Sequence, residues 1–285
     1  MTETSNTSSD TRPNLPVYTN ARSGIHKAFA DLGGGLALAP MWIHLTFQEM
    51  LGEFRRFFFG VFWIPLGMAI FVLALGYVYA YIRQYEYGDY VPYLASGMLA
   101  WQFMHITTMN GMSLFTRSSA HILNVNLPYS YFSFKLVFRQ TVELVMVFFV
   151  FLAVAIYFGL PFTPTMFLAV PGILLYIVTA VFVVLLISVL SIRFRDLETP
   201  VSYAFRVFFL VTPILWLLED RAGSRRAAFV QYNPFFHYLE IVRAPLLNQV
   251  PETLNWYVSA GCSCGLILVA LIVFIRARAK IPYWL

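Results

Sequence analysis

LVMVFFVFLAVAIYFGLPFTPTMFLAVPGILLYIVTAVFVVLLISVLSI, from Leu144 to Ile192, runs 49 residues without one Asp, Glu, Lys, Arg or His. A helix crosses the hydrocarbon core of a bilayer with about 20 apolar residues, so this stretch is too long for one crossing and the right length for two. Gly159-Leu160-Pro161-Phe162-Thr163-Pro164-Thr165 writes a break into it, because prolines and a glycine stop one helix and start the next. No soluble core of this size requires such a run. The chain therefore reads as an all-α, polytopic integral membrane protein.

Composition agrees: 59% of the 285 residues are hydrophobic and only 12% charged, with a mean hydropathy of +0.69. The net charge of +5 lies mostly beside apolar runs, where it orients a protein in a bilayer, and not in a stripe suited to nucleic acid. Met1 to Ile25 is polar and lacks the apolar core of a signal peptide. Residues 1–36 are expected to form a disordered cytoplasmic tail, and 37–285 a single transmembrane domain. The two cysteines, Cys262 and Cys264, point to nearly opposite sides of a helix, which excludes a bridge between them.

Charge-free runs predict six transmembrane helices: 57–82, a more polar 91–115, 139–158, 166–192, 199–218 with Arg206 inside it, and 254–275. All are read as helices, because a spanning segment must satisfy its own backbone hydrogen bonds. The positive-inside rule places both termini in the cytoplasm, with Arg55, Arg56, Arg117, Lys135, Arg193, Arg195, Arg276 and Arg278. Two further segments read as amphipathic helices at the membrane surface. Met41 to Arg56 sets Ile43, Phe47, Met50, Leu51 and Phe54 against His44, Gln48 and Gly52. Phe235 to Asn248, in the long external segment between the fifth and sixth spans, sets His237, Glu240 and Arg243 against Phe235, Tyr238, Leu239 and Val242.

Chemistry is sparse. No G-x-x-x-x-G-K-[ST], H-E-x-x-H, Cys/His metal grouping or G-x-S-x-G occurs. Asp196 and Glu198 have the spacing of a glycosyltransferase metal pair, yet Arg193 and Arg195 beside them favour a solvated, salt-bridged loop. Arg139 and Glu143 sit at i,i+4 and can pair within a span, either as snorkelling side chains or as a proton-coupled site for secondary transport. Trp63, Trp101, Phe103 and Trp216 lie within spans, where an interfacial belt does not account for them. Gly261 and Gly265 give the last span a small-residue face for close helix contact, within the subunit or across a dimer.

Glu53-Phe54-Arg55-Arg56-Phe57-Phe58-Phe59-Gly60-Val61-Phe62-Trp63-Ile64-Pro65, then Arg193-Phe194-Arg195-Asp196, then Tyr232-Asn233-Pro234-Phe235-Phe236 with Arg243, follow one another in an order that resembles the permease subunits of ABC exporters for bacterial surface polysaccharides, the O-antigen and capsule exporters. The resemblance implies an inner-membrane homodimer bound to two copies of an ATPase subunit. That subunit would hold ATP and Mg, with no cofactor on this chain, and the cargo would be a lipid-linked polysaccharide. It further implies ATPase coupling through Glu53, Arg55, Arg56, Arg117, His121, Asn124 and Pro128. A conduit would be lined by Trp63, Trp101, Phe103, Arg206 and Trp216, with an external gate at Tyr232, Asn233, Pro234 and Arg243. The same fold would also suit capsule, teichoic acid, drug or lipid cargo, and a membrane-bound glycosyltransferase is the alternative of a different class.

Overall fold

A computed structural model describes residues 24–54, 60–217 and 230–285. Among them every regular element is helical. Four helices are long and apolar enough to cross a membrane: Trp63–Arg83, Tyr129–Tyr157, Pro164–Arg193 and Thr253–Trp284. The decisive run divides where its prolines and glycine fall. Gly159 adopts φ +71°, the left-handed conformation that a residue with a Cβ resists, and Pro164 opens a short 3-10 turn into the next helix.

In chain order the helices are α1 (Gly24–Ala37), α2 (Ala39–Phe54), α3 (Trp63–Arg83), α4 (Tyr87–Met112), α5 (Leu114–Arg117), α6 (Ser119–Asn124), α7 (Tyr129–Tyr157), α8 (Ala169–Arg193), α9 (Glu198–Val211), α10 (Pro234–Leu246), α11 (Thr253–Ala277) and α12 (Ile281–Trp284). α4 is the central post, packed against α3, α7, α8, α9 and α10. Its 26 residues reach across a bilayer, at about 1.5 Å each, although it is less apolar than the four spans. Protein rather than lipid surrounds it, and Tyr90, Val91, Leu94, Leu99 and Ala100 are fully buried or nearly so. Close contact is built in at Gly172 of α8, where a Cβ would stand 2.8 Å from the carbonyl oxygen of Ile241 in α10.

Several expectations need correction. The predicted fifth span, 199–218, is not one helix. α9 has 14 residues, about 21 Å, short of the roughly 30 Å of hydrocarbon. It stops because Pro213 pushes the preceding Thr212 out of the helical region, to ψ 134°. Residues 57–59 of the first predicted span and Leu218 of the fifth lie outside the described residues. The Phe235 to Asn248 helix exists as α10, but it does not lie on a surface: Phe236, His237, Leu239, Val242 and Arg243 are all buried. Its polar side faces protein.

The disordered tail expected over residues 1–36 does not hold for 24–36, where Gly24–Ala37 is the packed helix α1; residues 1–23 lie outside the described residues. Buried Asp31 accepts from the backbone N–H groups of Tyr129 (3.2 Å) and Ser130 (3.0 Å), the first turn of α7, and from Arg278 Nε (3.0 Å). A carboxylate at a helix start satisfies donors that the helix itself leaves open. Gly35 permits the approach, since a Cβ there would meet Ser130 Oγ at 2.3 Å. α2 forms as expected, but its seam is Trp42, Thr46 and Met50 rather than the face centred on Phe47, and Trp42 stacks on Phe134 of α7. Phe47 and Leu51 remain exposed, the arrangement of a helix lying at a lipid surface. Gly261 and Gly265 have open space around them; α11 instead packs through Asn255, Ser259, Ser263, Ala270 and Phe274.

Asp31→Ala strips acceptors from two backbone amides and a partner from Arg278, and should lower stability by about 2–3 kcal/mol. Equilibrium unfolding in detergent micelles, compared with Asp31→Asn, which keeps an acceptor oxygen, should place the Asn variant between Ala and wild type.

Candidate functional site

Three parts of the molecule gather the residues singled out in the sequence. The first is the segment 212–217, which leaves the helical path between α9 and α10. Backbone carbonyls without partners are costly in a membrane, so irregular chain survives there only where protein satisfies it. The single Tyr93 O–H is shared between the carbonyls of Pro213 (2.7 Å) and Trp216 (3.1 Å), and Tyr90 Oη donates to Leu215 (2.7 Å). Arg243 donates to Pro213 as well and pairs with Glu240 one turn away. Its guanidinium lies 4.3 Å above the Tyr93 ring centroid, and the side chain is 3% exposed. Asn233 ties both ends together: Oδ1 accepts from Phe235 N (3.0 Å), capping α10, while Nδ2 donates to Thr212 Oγ1 (2.8 Å). Pro234 follows at the first helical position, where its missing N–H costs nothing. His237 is held between Asn255 Oδ1 and the carbonyl of Gln231, 2.7 Å from each. Of the four expected gate residues, the structure joins Asn233, Pro234 and Arg243 in one assembly and leaves Tyr232 exposed beside it.

The second part is a groove of about 550 Å³ between α3, α4 and α9, lined by Gly67, Phe71, Trp101, Gln102, His105 and Arg206 among others. The expected conduit residues divide here. Arg206 is exposed, its guanidinium 5.4 Å from the Tyr203 ring. Trp101 is wedged among Phe205, Phe209 and Phe235 with centroids 5.6–5.7 Å apart, and is buried. Phe103 points elsewhere and stacks on Tyr176 within the core. Trp63 is 44% exposed at the start of α3, and Trp216 donates to the carbonyl of Leu210.

The third part is the end of the bundle that carries α1, α2, α5 and α6. Two rungs join α2 to α7: Glu49 with Lys135 (2.5 Å), and Glu53 with Arg139 through both carboxylate oxygens (2.8 and 2.7 Å). Arg139 also reaches Glu143 (3.2 Å), so the predicted i,i+4 pair is extended by a third member from another helix. The Arg139 guanidinium holds the Glu53 carboxyl below its usual range, against a smaller opposing effect of burial. Arg117, His121 and Asn124 project from α5 and α6 as an exposed hairpin, with Leu123 and Val125 also exposed and Pro128 half-buried at its base. Arg55 and Arg56 lie outside the described residues.

No known family's sequence profile matches the chain. Over 247 residues it is 23% identical to an O-antigen export system permease protein RfbA of Klebsiella pneumoniae, and 22% identical to a second protein of that name from the same organism. Each alignment covers 85% of this chain and 94% of the relative. The likeness to O-antigen export permeases thus extends along most of this chain and nearly the whole length of the relatives. Sequence reading missed Asp31, Tyr90, Tyr93, Gln102 and His105. Asp31 had one signal, a lone carboxylate before Gly33-Gly34-Gly35; the tyrosines had their i,i+3 spacing at the start of the second predicted span.

Arg243→Ala should cost about 3–5 kcal/mol, because Glu240 is left unpaired and the Pro213 carbonyl loses a donor; Tyr93→Phe should cost about 1–2 kcal/mol. Both should appear as earlier thermal unfolding and as faster protease cutting within 212–217. A depressed carboxyl pKa stabilises above the ordinary carboxylate range and is lost as pH falls through the depressed value. Amide protection of 48–53 should therefore hold from neutral pH through the ordinary carboxylate range and fall only below it, and Glu53→Gln should weaken that dependence.

Proposed function

We propose that this chain is the membrane-spanning subunit of an ABC exporter that moves a lipid-linked surface polysaccharide across the bacterial inner membrane. The similarity to O-antigen export permeases over 94% of their length carries the reading. In this reading two copies pair and bind two copies of an ATPase subunit, which supplies ATP and Mg; this chain hydrolyses nothing. Both termini face the cytoplasm. Six crossings are reached when α4 joins the four apolar spans and α9 continues outward through 212–217, with α10 folded back into the outer half of the bundle.

The exposed hairpin fits docking to the ATPase. Arg117, His121 and Asn124 offer polar contacts, and Leu123 and Val125, 56% and 48% exposed, offer apolar ones. Glu53 and Pro128 lie at the base from which a push would pass to α7 through Arg139; Arg55 and Arg56, which would share that role, lie outside the described residues. Trp63, Trp101, Arg206 and Trp216 stand nearest the proposed conduit, with Phe103 one layer behind. Tyr232, Asn233, Pro234 and Arg243 form the outer closure.

Purified alone, the chain should show no ATPase activity. Co-purified with the ATPase encoded beside it, the complex should hydrolyse ATP, and double replacement of Leu123 and Val125 by Asp should abolish co-purification without unfolding the chain. ATP hydrolysis by the isolated chain would contradict the reading.

A further inference from the structure

Two of the apolar spans, α8 and α11, finish level with each other in a cluster of cations. Thr179 Oγ1 donates to Ser263 Oγ (2.8 Å), and the two residues stand equally far from the last residues of their helices, Arg193 and Ala277. Beyond Ala277 a 3-10 turn, Arg278–Lys280, leads into α12, which packs against α8. Ile281 is fully buried there, and the Arg193 guanidinium lies 5.9 Å from the Trp284 ring centroid. Arg193, Arg276 and Lys280 are all exposed around this junction. Among the described residues none of the three side chains forms a hydrogen bond or ion pair; Arg193 has only the rings of Phe194 and Trp284. Asp196, just after α8, and Glu198, at the start of α9, pair with none of them. Arg278, by contrast, is already held by Asp31.

The three cations sit where a hydrocarbon-facing surface ends. Leu268, Ile272 and Arg276 succeed one another at i,i+4 along α11 and so share one face; Leu268 and Ile272 are 61% and 40% exposed. In a bilayer such a face meets lipid chains, and one further turn, about 5.4 Å, carries Arg276 toward the phosphates. Positive charge beside a span orients a protein even when its side chains are loose. Here they stand on a fixed frame, because buried Ile281 pins α12. Tyr283, 89% exposed beside Trp284, adds an aromatic of the kind that settles among headgroups. The surface complements a ligand with apolar chains and a negative head. A lipid reaches both the stripe and the cations, whereas a protein in the cytoplasm reaches only the cations.

We propose that Arg193, Arg276 and Lys280, framed by Tyr283 and Trp284, bind the headgroup of an anionic glycerophospholipid of the surrounding bilayer, with its chains along Leu268 and Ile272. This lipid is a companion of the fold and not cargo: none of these residues lines the groove between α3, α4 and α9.

Full-length protein in neutral detergent micelles is titrated with fluorescent phosphatidylglycerol, and in parallel with phosphatidylcholine bearing the same chains. A Lys or Arg near an anionic headgroup is worth about fivefold in affinity, so the three should favour phosphatidylglycerol by about a hundredfold at low salt, and less at high salt. Arg276→Gln and Lys280→Gln should each reduce that preference about fivefold, whereas Arg276→Lys, which keeps the charge, should retain most of it. Neither side chain has a partner in the fold, so both variants should unfold thermally like the wild type when lipid is absent. Arg83→Gln, at the exposed far end of α3, should change the preference by less than about twofold. An equal loss there would show diffuse attraction to a basic protein and overturn the proposal, as would wild-type preference in both site variants. Glycerol phosphate, a headgroup without chains, should compete weakly; strong competition would show a free-anion site and overturn the lipid assignment. Loss of co-purification with the partner ATPase in Arg276→Gln, with lipid preference intact, would assign the cations to protein and overturn it too. So would disulfide cross-linking between copies of a Lys280→Cys variant whose Cys262 and Cys264 are replaced by Ser.

Discussion

The carbonyl groups of Pro213, Leu215 and Trp216 leave the helical ladder inside the bundle, and the rest of the structure depends on where they find donors. Tyr90, Tyr93 and Arg243 supply them. In hydrocarbon each orphaned group would cost several kcal/mol, more than the packing of one large side chain returns. The segment could not stay unwound without those three residues, and they have no reason to be polar without it. One consequence is that α4 keeps two tyrosines, Tyr90 and Tyr93, on the side that faces the 212–217 segment. Another is that α10 turns its charged side inward, so that Arg243 reaches both Glu240 and the broken strand of backbone. Close approach of α10 to α8 at Gly172 completes the frame.

At the opposite end the balance of forces is different. Asp31, Glu49 and Glu53, from α1 and α2, each meet a cation on α7 or at the start of the C-terminal turn. The two α2 rungs are half exposed, and exposed ion pairs contribute about 0–1 kcal/mol. Attachment of α2 therefore rests on Trp42 packed against Phe134 and Phe138, while the rungs fix its register along α7. A helix held by an apolar seam and set by weak charge pairs can shift along its neighbour at low cost. Under the proposed export reading, that property suits the end of the subunit that would meet an ATPase.

Much of this plan was legible in the amino-acid order. The break at Gly159–Thr165, the presence of four apolar spans and the pairing of Arg139 with Glu143 all follow from local rules, and the structure contains them, although the third span begins at Tyr129 rather than at the predicted Arg139. The course of the fifth predicted span did not, because a count of apolar residues tolerates Arg206 and gave too little weight to Pro213. The polar stripe of α10 was visible, but periodicity reports only that a stripe exists and not whether water or protein faces it. Asp31 was hidden for another reason: its amide partners are 98 and 99 residues away, and a lone carboxylate in a Gly-rich stretch looks like a solvated tail. Gln102, His105 and Arg206 of the groove between α3, α4 and α9 were scattered across two predicted spans, and only the fold brings them together.

The account requires the α5–α6 hairpin and the 230–250 region to lie on opposite sides of the membrane, the former in the cytoplasm. Single cysteines at His121 and at Tyr232, in a chain whose Cys262 and Cys264 are replaced by Ser, can be tested with a membrane-impermeant maleimide on cells whose outer barrier alone is opened. Labelling at 232 in sealed cells, with labelling at 121 only after the inner membrane is permeabilised, is the result expected. Labelling of 121 in sealed cells would leave the hairpin with no ATPase to meet and would contradict the account.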